Sequence, residues 1–110
     1  MSPNQPRASA ERTAAMVAGQ ASRGLAVAMS RADGTVTLRL NPESLGFVRI
    51  RLEMSKGGIV ARFEASTEQA RQLLEQSSES LRASLEAKGW EASQVRVEIL
   101  READPAADRA

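Results

Sequence analysis

The sequence predicts an α+β fold, a two-layer sandwich in which a mostly antiparallel sheet is covered on one face by one long helix. Two observations carry this. Apolar and polar residues alternate at 35–40, 47–54, 59–65 and 95–99, the period of half-buried strands. Between the last two of these, residues 67–88 place apolar side chains at helical spacing. The order is therefore β-β-β-α-β, with room for an extra strand at the N-terminal end. A chain of 110 residues, 42% hydrophobic and 26% charged, suits one domain around one core.

The elements follow in order. Residues 1–23 are expected to be a flexible segment. Its first eight residues are polar and Pro-containing, and the Ala-rich stretch Ser9–Gln20 leaves room for a short helix. Leu25, Val27 and Met29 alternate with small residues and precede Asp33-Gly34, a strong hairpin turn. A first strand at Gly24–Arg31, paired with Thr35–Leu40, is thus expected. Val36, Leu38 and Leu40 should face the core there, as should Val48, Ile50 and Leu52 in the next strand.

Asn41-Pro42-Glu43-Ser44-Leu45-Gly46 must connect those two strands. Pro42 fixes its own φ, Gly46 admits a backbone conformation closed to side chains, and Leu45 should plug into the core. Ser55-Lys56-Gly57-Gly58 turns the second hairpin; a glycine pair can also form an anion-binding nest, but no helix follows directly and the hairpin explains these glycines fully. Ser66 or Thr67 should cap the helix, with Ser66 and Gln69 as a capping box, and Gly89 should end it. Ala70, Leu73, Leu74, Ser77, Leu81 and Leu85 form its inner stripe. Val95, Val97 and Ile99 point inward from the last strand, and residues 101–110 should fray.

The run Leu38-x-Leu40-x-Pro42-Glu43-x-Leu45-Gly46-x-Val48-x-Ile50-x-Leu52 resembles the C-terminal domain of the flagellar hook-length control protein family. Leu81-Arg82-Ala83-Ser84-Leu85, Gly89-Trp90 and Val95–Ile99 continue the likeness, which runs from about Thr35 to Leu100. Residues 24–100 would be that domain. Ser44 stands where the family often has a second acidic residue. The family usually carries a long N-terminal region as well, so this chain is expected to be a fragment.

The resemblance implies a protein-binding domain that contacts the cytoplasmic domain of the flagellar export-gate switch protein. That contact changes type III export from hook-type to filament-type subunits. It implies Pro42, Glu43, Leu45, Gly46, Val48 and Ile50 as the partner-binding motif. It also implies a cytoplasmic protein that is itself exported, and hook or hook-cap contacts through regions absent here.

Composition limits the alternatives. Net charge is +1, with no histidine, cysteine or tyrosine, so the commonest general base, the commonest transition-metal ligand and all disulfides are missing. No Ser has a His to activate it, and Lys56 and Lys88 lack a context that depresses a lysine pKa. We expect no enzyme, no metal and no cofactor. The apolar runs are too short to cross a bilayer.

The sheet face away from the helix should carry Arg39, Arg49, Arg51, Arg62 and Arg96 among Glu53, Glu64 and Glu98. This is either a solvated face of cross-strand ion pairs or a docking face for an acidic partner. A small nucleic-acid-binding module using these arginines is the main alternative function. Only Phe47 could stack a base there, so nucleic acid is not expected. Self-association through an edge strand is a third reading, against an expected monomer.

Overall fold

The computed structural model describes the backbone of residues 6–102 and the side chains from Arg12 onward. Of the flexible segments expected at 1–23 and 101–110, residues 1–5 and 103–110 lie outside the described residues, while α1 begins at Pro6 and β4 includes Arg101. The elements are α1 (Pro6–Met29), β1 (Thr35–Arg39), β2 (Phe47–Ser55), β3 (Gly58–Ala65), α2 (Glu68–Gln76), α3 (Ser78–Glu86) and β4 (Val95–Arg101). The sheet order is β1-β2-β3-β4. β1–β2 and β2–β3 are antiparallel, while β3–β4 is parallel, so the sheet is mixed. The segment α2–α3 is the crossover that a parallel neighbour needs.

The alternating pattern read for β2 and β3 sets their faces. Val48 and Ile50 of β2, and Ile59, Ala61, Phe63 and Ala65 of β3, are all buried. Leu40, Leu45 and Val95 join them, and the helices supply the other members of the same core cluster.

Two expectations are corrected. The strand expected at Gly24–Arg31 does not form, because Gly24–Met29 is the last part of α1 and Ser30 and Arg31 lie in the turn after it. Its buried residues Ala14, Val17, Ala18, Ala21, Leu25 and Ala28 recur at helical, not strand, spacing. Val27, part of the alternation that suggested a strand, is 44% exposed. Gly24 lets this helix lie close to the sheet, since a Cβ there would overlap Leu38 Cδ2. Asp33-Gly34 is still a turn, with Gly34 at φ +65, but it joins a helix to β1.

The single helix expected over 67–88 is two helices broken at Ser77. Ser77 is buried, and its hydroxyl is shared between Leu73 O at 2.9 Å and Ala14 O at 3.1 Å. A serine bonding back to its own helix competes with the regular ladder and bends it. Here it also ties the bend to α1. The helical cover therefore comes from three helices. Thr67 is the cap of α2, accepting from Ala70 N at 3.1 Å. The capping box expected at Ser66 is absent, because that hydroxyl accepts from Phe47 N instead. At the far end α3 stops at Glu86, just short of the expected Lys88.

Candidate functional site

The corner between β1 and β2 is held from beneath and from two sides. Leu45 is completely buried, ending a short 3₁₀ turn of Glu43–Leu45. Leu45 N donates to Pro42 O at 3.0 Å, and Gly46 N donates to Glu43 O at 2.9 Å. Leu40 N closes the corner by donating to Gly46 O at 2.8 Å. The Asn41-Pro42 peptide is cis.

One side anchor comes from the start of α2. Thr67 Oγ1 donates to Leu45 O at 2.9 Å while it accepts from Ala70 N, so one hydroxyl caps the helix and pins the corner. Ser66 Oγ accepts from Phe47 N at 2.9 Å. Gly46 sits at φ +76 and ψ −136, and a Cβ on it would overlap Ser66 Oγ. The second anchor comes from α1. Gln20 Nε2 donates to Asn41 O, and Asn41 N donates to Gln20 Oε1, both at 2.9 Å. Nothing in the local sequence marked Gln20. It is one of several polar side chains in and beside an Ala-rich stretch, among them Thr13, Ser22 and Arg23.

Asn41, Pro42, Glu43 and Ser44 are exposed on this frame. Glu43 has no ion-pair partner among the described residues. Leu45, Val48 and Ile50 were expected in a partner-binding motif, yet each is at zero exposure. They carry the corner and offer no side-chain surface. Gly46 is half-buried and serves the backbone.

The arginine face is mostly neutralised by its register. Arg62 sits between Glu53 at 2.9 Å and Glu98 at 2.8 Å. The hydrogen bond to Glu98, then the charge of Glu53, raises the Arg62 pKa. Arg49 lies 3.8 Å from Glu64 and 3.7 Å from Glu102, and Arg96 lies 3.6 Å from Glu98. Arg39 and Arg51 are exposed and have no carboxylate partner among the described residues. Arg51 stands opposite Arg62, a like-charge pairing. A uniform basic track for nucleic acid is therefore not present on this face. Among the described residues no cluster of three or more His, Cys, Asp or Glu could hold a metal ion. No helix there is long and apolar enough to cross a membrane.

At the entry to α2, Arg71 grips Glu68 with contacts of 2.6 and 2.9 Å. That hydrogen bond, helped by the Arg71 charge, holds the Glu68 carboxyl below its ordinary pKa. A depressed folded-state pKa means stability that is present above the unfolded value and lost as pH falls through the folded one. The melting-temperature gap between the native chain and Glu68→Gln should therefore be open at neutral pH. It should close as pH falls below the usual carboxylate range, and thermal melts across pH will read it.

Comparison with known proteins comes to the same elements. Residues 22–105 match the family model described as flagellar hook-length control protein FliK. A probable flagellar hook-length control protein of Bacillus subtilis (strain 168) is 46% identical over 55 residues. Those residues are 50% of this chain and 11% of that protein, so the match spans about a tenth of the relative's length. A solved structure described as the PscP SS domain superposes with a TM-score of 0.54 at 20% identity, covering 81% of this chain and 93% of that one. It supports the α+β fold with its four-stranded mixed sheet.

Proposed function

The chain belongs to the flagellar hook-length control protein family, and from that premise we propose that its 41–46 corner is a recognition site for a protein of the flagellar export apparatus. The partner in this reading is the cytoplasmic domain of the export-gate switch protein. Their contact would change type III export from hook-type to filament-type subunits. The domain acts as a monomeric binding trigger in the cytoplasm, performs no catalysis of its own, and is itself exported.

One observation carries the reading. Exposed Pro42 and Glu43 stand on a corner fixed by a buried leucine and by hydrogen bonds from two helices. A loop held rigid before binding loses little entropy on contact, and such loops commonly carry recognition. Glu43 adds an unpaired charge, which favours a partner surface with a lysine or arginine.

The test is Glu43→Lys. The side chain is exposed and unpaired among the described residues, so the melting temperature should not move. Chemical-shift mapping of the native domain with the gate protein's cytoplasmic part should centre on residues 41–46, and the variant should lose that response. Placed in the full-length protein, the variant should leave cells with hooks that fail to stop growing. Motile cells with normal hooks would remove this corner from the switch.

A further inference from the structure

The recognition corner does not account for the surface beside β1. Among the described residues β1 is an edge strand, pairing only with β2. Its hydrogen-bonding direction can be read from its two ends. Leu52 N donates to Gly34 O, and Leu40 N donates to Gly46 O, both at 2.8 Å. In an antiparallel ladder the bonded pairs alternate, so even-numbered residues of β1 turn their backbone groups toward β2. Odd-numbered residues turn theirs outward. Thr35 fits, since its N–H leaves the sheet to meet Asp33 Oδ1 at 3.1 Å. Thr37 and Arg39 thus direct N–H and C=O groups to the free edge, with no partner among the described residues.

An apolar groove runs along this edge on the core side, between β1 and α1, with a volume of about 690 Å³. Val36 and Leu38 form its sheet wall, and Met16 and Val27 its helix wall. Met16 is 52% and Val27 44% exposed. Arg23 lies on the rim, and Arg39 borders both the groove and the opposite face. Neither has a carboxylate partner among the described residues, nor has Arg51 across the β1–β2 ladder from Thr35.

From these placements we infer that the β1 edge takes an extended segment of a partner protein as a fifth strand, one whose apolar side chains alternate with acidic ones. The backbone of such a segment pairs with Thr37 and Arg39. Its side chains then point alternately to the two faces. One set fills the groove against Met16, Val27, Val36 and Leu38. The other lies beside Arg39 and Arg51, where carboxylates meet two arginines with no counter-charge among the described residues. A second copy of this chain fits less well. A β1-to-β1 pairing would set Arg39 and Arg51 against more arginine, and like charges across a ladder are unfavourable. The groove abuts the 41–46 corner, since Gln20 and Asn41 also line it, but the strand-addition site lies on Thr37 and Arg39 and does not depend on the export-gate reading.

The probe is a synthetic peptide of about eight residues alternating valine and glutamate, close to one strand in length, titrated into the full isotope-labelled chain. The amides of Thr37 and Arg39 should shift and exchange more slowly with solvent, and a valine–lysine peptide should not bind. Thr37→Pro removes one outward N–H and leaves the β2 ladder its bonds, so it should abolish binding. Should that variant fail to fold, Arg39→Glu should weaken binding severalfold at low salt. Absence of binding, equal binding of the lysine peptide, or shifts confined to residues 41–46 or to the Arg62 cluster would overturn the inference. So would a free chain that dimerises with Thr37 and Arg39 amides already protected, because the occupant would then be a second copy.

Discussion

Leu45→Ala will lower the unfolding free energy by about 2–5 kcal/mol, the range for truncating a fully buried leucine. Leu45 has zero exposure and lies in the core cluster with Leu40 and Val48. The loss has two parts. Removed apolar surface costs transfer free energy, and the cavity left under the corner costs contacts that the neighbours cannot recover. The corner can collapse only partly, because Thr67 and Gln20 hold its backbone from outside. Denaturant melting should show a lower midpoint at unchanged slope, which marks a change in stability and not in cooperativity. A loss under about 1 kcal/mol, the size typical of an ordinary substitution, would mean that Leu45 is not packed as described.

Gly46→Ala should be nearly as damaging although it adds one methyl group. The backbone at φ +76 and ψ −136 is closed to residues with a Cβ, at a cost of about 1–3 kcal/mol. The new methyl would also displace Ser66 Oγ, which accepts from Phe47 N. The part-buried Phe47 N–H would then lose its acceptor, adding a penalty below the roughly 1–3 kcal/mol of a fully buried donor. Gly57→Ala is the matched control. A Cβ at that position meets nothing within 4 Å, so its effect should lie within about 0.5 kcal/mol of zero. Equal midpoints for the two variants in the same melt would refute the account of the corner.

The strands and the corner were legible because their signals are local. Val48, Ile50, Ile59 and Phe63 alternate, and turn residues bound each run. α1 was misread for a physical reason. Leu25, Val27 and Met29 alternate by chance, while much of the true stripe is alanine at positions 14, 18, 21 and 28, which adds little to a hydrophobic pattern. The break at Ser77 left one trace, a hydroxyl among leucines. That hydroxyl bonds back to Leu73 O and also to a carbonyl of α1, 63 residues away in sequence, a partner that no local pattern announces. The arginine face was foreseen as a set of residues, but its neutralisation depended on register. Arg62 is shared between a carboxylate of β2 and one of β4, and no local pattern specifies that meeting. Gln20 was beyond reach for the same reason, since its partner is 21 residues further along the chain.

The parallel ladder of β3 with β4 has a consequence for the order of assembly. β1, β2 and β3 are joined by short connections and can zip together cheaply, because little chain entropy is lost in closing them. β4 must instead find β3 across a much longer stretch, with Arg62 and Glu98 36 residues apart in sequence. That ladder cannot form before the crossover has condensed. The C-terminal strand is thus the last piece into the sheet. Lying at its margin, it is also the first that can leave with the hairpins intact, which gives the fold a defined edge from which to unravel.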